Sequence, residues 1–316
     1  MEIPAGRSSV KREQGNRTSH EAAKKRLLPV LCMALVGIGH PPALAAQELQ
    51  QLTSGASVDY HPVFSPSGDQ ILFTSRDGRS VGMYLIPSRG GERKQIPLSP
   101  DIQGDFYTDW SPDGQSIVFD RRVDDGPGDI YLLRLESGEL ERLTDYPGMD
   151  GHPSFSPTGD RIVFTSLRDG NLDIWTMDAH GGSLVRLTDD AAEDFHPRWS
   201  PDGKHILFTS RRGGDEDIWV MSDDGTNQRQ LTFQRGTADR GYWSPDGSRI
   251  VFSWNDDLWL MDVDGGTPER LTDFPGREGN ACWSRDGRRI AFISDRSGNY
   301  DLWVMTLSEG GNPRSE

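Results

Sequence analysis

The chain has only two cysteines in 316 residues, Cys32 and Cys282, and the first lies in a segment read below as removed on export. No intramolecular disulfide is then available, so stability has to come from packing even in an oxidising compartment. Cations are also scarce: 34 Lys and Arg stand against 49 Asp and Glu, a formal charge of −15. Such a surface lacks the basic face that phosphate neutralisation requires, which excludes nucleic acid as a partner. Anionic lipid headgroups would repel it as well. Long apolar runs are missing: the stretch from Leu27 to Ile38 falls short of the roughly 20 residues that cross a bilayer, so no membrane span is expected. No Walker A loop, paired C-x-x-C or H-E-x-x-H helix occurs, which removes the chemistries those motifs serve.

What is present begins with a leader. Lys24-Lys25-Arg26 precede the apolar run, and Ala43-Leu44-Ala45 follows it with small residues where a signal peptidase reads. This order predicts a Sec-type signal peptide over residues 1–45, cut after Ala45 with Ala46 as the neighbouring choice, and a periplasmic or secreted bacterial protein. Cys32 follows Leu31 inside the apolar run rather than a small residue, which argues against lipid attachment. Met1 to Ala23 is long for such a leader, and a later start codon would account for it.

The mature part is rich in punctuation, with 36 Gly, 20 Pro and nine Trp in the whole chain, and it repeats itself. Ser65-Pro66-Ser67-Gly68, Ser111-Pro112-Asp113-Gly114, Ser156-Pro157-Thr158-Gly159, Ser200-Pro201-Asp202-Gly203, Ser244-Pro245-Asp246-Gly247 and Ser284-Arg285-Asp286-Gly287 recur every 40–46 residues. A period in this range built of strand-like segments means a propeller or an array. Pro presets the second position of a type I turn and Gly takes the positive φ that sends the chain back, so each unit is a hairpin. An aromatic strand precedes the turn, a β-branched strand such as Ile206-Leu207-Phe208-Thr209-Ser210 follows, a third carries an aromatic such as Trp175, Trp219 or Trp303, and a fourth ends in Leu-Thr. Apolar runs this short, bounded by Gly, Asp and Pro, are those of strands buried between stacked sheets. The sixth copy lacks its Leu-Thr strand, whereas Gln51-Leu52-Thr53 supplies one at the start of the mature chain. The fold expected is therefore all-β: a six-bladed β-propeller over residues 46–307 with four-stranded antiparallel blades, the last closed by the N-terminal strand, and a flexible tail over 308–316.

The order P-x-W-S-P-D-G, I-x-F-T-S, D-I-W-x-M-D and R-L-T resembles the repeat of the TolB-type β-propellers, from about Gln47 to Met305. The resemblance implies a six-bladed propeller in the bacterial periplasm. TolB itself carries an α/β domain ahead of its propeller, with which its inner-membrane contact is associated, and no counterpart is read between leader and closing strand here. Contact with the peptidoglycan-associated lipoprotein is associated with the propeller, so the resemblance implies an envelope protein partner, a lipoprotein or a peptide.

Candidate site residues come from registering the copies. Three positions before the first-strand aromatic stand His61, Tyr107, His152, His196, Arg240 and Asn280, and five before it Asp59, Asp105, Asp150, Asp194, Ala238 and Glu278. First strands line the channel of a propeller, so equivalent positions form rings about its axis. These rings predict a binding site at the channel mouth, and His61, His152 and His196 are the candidate ligands should a divalent metal bind there. A recurring His-Pro pair also arises from duplication alone. Asp129, Asp173, Asp217, Asp257 and Asp301 open the third strands; a calcium role competes with an Asp accepting backbone N–H bonds across its own loop, which is the expectation. The function expected is an exported, non-catalytic and monomeric binding module without a cofactor, which docks a protein at the channel mouth. The alternative is a metal-dependent enzyme or carbohydrate-binding propeller, similar in outline to lyases of pectic oligosaccharides, using the His ring.

Overall fold

The structure, a computed structural model, describes residues 46–98, 106–121 and 128–307. The expected signal peptide, Asp105 and the expected tail lie outside the described residues. Six four-stranded antiparallel sheets follow one another in the chain, and no helix occurs among the described residues. Their first strands, from Val58–Phe64 in blade 1 to Glu278–Trp283 in blade 6, form the inner edges, and the short fourth strands form the outer ones.

The second strands hold the core. Phe73, Phe119, Phe164, Phe208, Phe252 and Phe292, one per blade, are at most 1% exposed, each between the sheet neighbours of its own blade and the face of the preceding one. These Phe residues, and not the third-strand Trp residues the repeat singles out, are the recurring fully buried aromatics, joined by Phe106 in blade 2. Trp175, Trp219 and Trp303 are half-buried, and their outer faces are roofed by Arg168, Arg212 and Arg296, whose guanidinium carbons lie 5.8, 5.0 and 4.7 Å from the ring centroids. Short outer strands leave these rings partly uncovered, and a planar cation completes the cover.

The R-L-T signature is a clamp on the outer strand. In blade 3 the Thr188 hydroxyl accepts the Ile174 N–H at 2.9 Å, and Arg186 donates to Asp173 at 2.7 Å. Blades 2, 4 and 5 repeat both contacts, through Thr144, Thr232 and Thr272 and through Asp129, Asp217 and Asp257, with Gln230 in place of the arginine as donor in blade 4. The third-strand Asp residues thus accept side-chain donors from the fourth strand rather than backbone N–H groups of their own loops. Blade 6 receives the same clamp from the other end of the chain: Leu302 N–H donates to the Thr53 hydroxyl at 2.8 Å, Gln51 to Asp301 at 3.0 Å. The strand Ala46–Gln51 pairs with Asp301–Leu307 and closes the ring.

At the opposite end of the channel from the interblade loops, each Ser-Pro-x-Gly unit closes an i to i+3 turn, as in Gly114 N–H to Ser111 O at 2.9 Å. The Asp at or near the turn accepts the Ser hydroxyl, at 2.6 Å for Ser200 and Asp202. The residue after the turn sends its N–H back to that Ser oxygen, as His205 does at 2.9 Å.

Candidate binding site in the channel

Every fully described first strand is interrupted by a bulge at the ring position, for example between Phe195 and Arg198. A bulge re-aims a side chain, and here it does so through a left-handed backbone. His61, His152, His196, Arg240 and Asn280 have φ of 52°, 55°, 54°, 55° and 51°. His and Asn tolerate this region better than most residues, but Arg has no such preference, and glycine would adopt it freely. The chain uses glycine at positive φ in all six turns, yet at the ring it keeps polar side chains. Holding them there costs about 1 kcal/mol or more apiece.

The six side chains converge on the axis. Centroids of His61 and Tyr107 are 3.9 Å apart, those of Tyr107 and His152 4.2 Å, and those of His152 and His196 4.2 Å. From blade 5, Arg240 reaches across and donates to the Tyr107 hydroxyl of blade 2 at 3.1 Å. The packed rings leave a neck cavity of about 50 Å³, room for a few waters or one small group. Behind the ring, His196 Nδ1 lies 2.7 Å from Asp239 Oδ1, which also accepts from Thr209 at 2.9 Å. Burial pushes the His196 imidazole down in pKa, against the pull of Asp239. Asp239 stays ionised: burial opposes this, and His196, Arg240 and the Thr209 hydroxyl outweigh it. Fully buried Asp120 accepts the backbone N–H groups of Tyr107 at 2.6 Å and His152 at 3.2 Å.

The second expected ring is placed differently. Asp59, Asp150, Asp194 and Glu278 are at most 3% exposed and do not line the neck. Each accepts a hydrogen bond or a close ion pair inside its own blade. Ser75 donates to Asp59, Ser166 to Asp150 and Ser294 to Glu278 at 2.6–2.8 Å. Arg93, Arg168, Arg212 and Arg296 stand beside the four carboxylates at 3.8, 2.5, 2.5 and 3.1 Å. Two residues from the ring position along a pleated, bulged strand, these side chains turn into the sheet. Burial pushes Asp194 and Glu278 up in pKa, opposed by their Ser and Arg partners. Ala238 stands at the corresponding place in blade 5, buried without a carboxylate. His152 and His196 adjoin, but the Tyr107 ring stands between His61 and His152. Among the described residues no group of three His, Cys, Asp or Glu is arranged to hold a metal.

A further tier was not singled out by the repeat. One position before each aromatic lie Val63, Asp109, Ser154, Arg198, Tyr242 and Cys282. Arg198 of blade 4 pairs with Asp109 of blade 2 at 3.2 Å, and its guanidinium carbon lies 5.3 Å from the Tyr242 ring centroid. Burial raises the Tyr242 phenol and pushes the Cys282 thiol up to about 12. The signal available was a charge inside an aromatic strand, in Thr108-Asp109-Trp110 and Pro197-Arg198-Trp199. This tier separates the neck from a cup of about 630 Å³ at the turn end, walled by Pro66, Pro112, Pro157, Pro201 and Pro245 and by first-strand aromatics.

Residues 106–257 match the model of the TolB β-propeller domain. A TolB homolog of Chlorobium luteolum is 32% identical over 124 residues, 38% of this chain and 26% of that protein. The matches span about a third or less of the length of the curated relatives, from 22% to 34%. Among solved structures, a candidate TolB of Agrobacterium tumefaciens superposes with a TM-score of 0.67 at 25% identity, covering 82% of this chain and 97% of that one. An oligogalacturonate lyase solved in complex with manganese gives 0.58 at 17% identity, over 86% and 96% of the two chains, a likeness of fold alone. No helix among the described residues is long and apolar enough to cross a membrane. Repeat and blade topology make residues 46–307 a six-bladed β-propeller, and over residues 106–257 it is similar to the TolB β-propeller domain.

Proposed function

We propose that the protein is an exported binding module of the cell envelope that docks a protein partner at the ring end of its channel, without catalysing a reaction. The observation that carries this reading is the five polar side chains held on left-handed backbone at the neck. A strained conformation kept at one place in every fully described blade, where glycine would relieve it, marks a surface selected for contact. The neck itself is too small to enclose a substrate at about 50 Å³, so a partner meets the ring from outside and buries its polar edge. The test is capture from envelope extract by the tagged protein, compared with Arg240→Ala. Selective loss of one captured protein with an unchanged melting temperature supports the reading; identical capture by both proteins overturns it.

A metal-dependent, lyase-like activity is the second reading, favoured by the adjoining His152 and His196 with Nδ1 of the latter held by Asp239. That support resembles the outer carboxylate of metal-bound imidazoles and leaves Nε2 toward a ligand. Its test is melting with Zn2+, Mn2+ or Ca2+, then with His152→Ala and His196→Ala combined. A ligand at 100 times its Kd raises stability by about 2.7 kcal/mol, and a rise abolished by the double change would favour this reading.

A further inference from the structure

The cup at the turn end is built differently from the ring and is assigned no role by the reading above. We propose that it binds an extended, uncharged peptide segment, seating an apolar ring side chain against its walls and a backbone carbonyl on its floor. The size comes first: about 630 Å³ lies within the roughly 300–1,000 Å³ typical of ligand sites, whereas the neck does not.

The walls come second. Each turn proline lies against the glycine of the next turn; a Cβ added to Gly159 or Gly203 would stand 3.3 or 3.6 Å from the preceding proline's Cδ. Arg285, which replaces proline in the sixth turn, donates to Pro66 O at 3.3 Å and completes this collar. The result is a rigid apolar rim whose shape is fixed before any ligand arrives, the condition under which binding loses least entropy.

The floor decides the chemistry. Arg198 and Asp109 neutralise each other at 3.2 Å, so the floor carries no net charge, and the one other charged residue lining the cup, Arg285, lies on the rim and donates to the Pro66 carbonyl. Both Asp109 oxygens are engaged, Oδ1 by Arg198 and Oδ2 by the Phe155 N–H at 3.0 Å. What remains on offer is donors, the other guanidinium N–H groups of Arg198 and the Tyr242 hydroxyl, both lining the cup. The turn serines have little left to offer a ligand, because Ser200 already donates its proton to Asp202 and accepts from the His205 N–H, leaving one lone pair. A sugar needs acceptors as well as donors around its hydroxyls. A peptide carbonyl needs donors only, and aromatic-lined grooves are how extended, proline-containing peptides are recognised.

The experiment titrates the full chain with the capped tripeptide acetyl-Pro-Phe-Pro-amide, read by indole emission, because Trp110, Trp199 and Trp283 wall the cup. Saturable quenching is expected, weakened at least tenfold by Pro157→Glu with Pro201→Glu, two solvent-exposed rim residues whose replacement leaves melting unchanged. The same double variant captures the envelope partner of the ring end as the parent protein does, so failure of one reading is separable from failure of the other. No saturable response, equal affinity in the rim variant, or a response to cellobiose that the rim variant loses would each overturn the proposal, the last by making the ligand a carbohydrate.

Discussion

The two ends of the channel are built from the same strands and behave as opposites. At the ring end, bulges and left-handed backbone push His, Arg and Asn side chains inward, where they meet the Tyr107 ring and one another. At the turn end, tight turns with glycine at positive φ draw the chain outward, and proline walls enclose open space. The difference lies in where strain is spent. The turns place glycine wherever φ is positive and are locally relaxed; the ring does not and is held by its surroundings. Relaxed geometry yields a fixed container, and strained geometry yields a presented set of side chains.

Four changes would break or sharpen this contrast. The largest effect is expected from deleting residues 47–54, which removes the clamp on blade 6 and with it the closure on which both ends depend. A loss of several kcal/mol is expected, since burying one Leu is worth about 1.5–3 kcal/mol and ladder hydrogen bonds go with it; an unchanged melting temperature would show that the ring stands without its closing strand. Next, Phe208→Ala is expected to cost about 3–5 kcal/mol, and Trp219→Ala less, because only the first is fully buried. Urea unfolding of the pair checks this, and the reverse order would return the core to the third strand.

The third concerns pH at the neck. Burial lowers the pKa of His196 in the folded protein, so below about 6.5 the unfolded chain binds a proton that the folded one resists. Stability should therefore fall as pH drops from 7 to 5.5, and His196→Gln should flatten that slope; an equal slope in the variant places the titration elsewhere. The smallest effect is the most diagnostic of strain. Asn280→Gly should leave stability unchanged or raise it by up to about 1 kcal/mol, the relief at φ of 51° offsetting the added freedom of the unfolded chain. A clear loss would mean that Asn280 is there for packing.

The fold was legible because its information is local and repeated. A turn motif, an aromatic at fixed offset and a Leu-Thr ending fix four strands per copy, and the displaced Gln51-Leu52-Thr53 identifies the closing strand before any contact is seen. The ring of His61, Tyr107, His152, His196, Arg240 and Asn280 was legible for the same reason. The destination of Asp59, Asp150, Asp194 and Glu278 was not, because the bulge between the two positions alters which way each side chain faces, and its partners Ser75 or Arg168 lie 16 to 18 residues away. Arg198 and Asp109 meet across the channel from blades 4 and 2, a pairing that registering one copy on another cannot reveal. The clamp on the outer strand was half legible: its Asp and Thr recur visibly, but only the sheet register brings them together.

The closing strand also sets an order of events. Gln51 and Asp301 are hydrogen-bonded although 250 residues separate them. Blades 1 to 5 each draw their four strands from one short stretch of chain and are free to assemble as it emerges. Blade 6 has to wait, and so does the first strand, unpaired until the last one exists. Joining ends so distant is the slowest class of contact to form, since the loop entropy is lost before any pairing repays it. Until then Gln47 to Gln51 is a bare strand edge, the part of the molecule most open to a chaperone or to a neighbouring copy of itself.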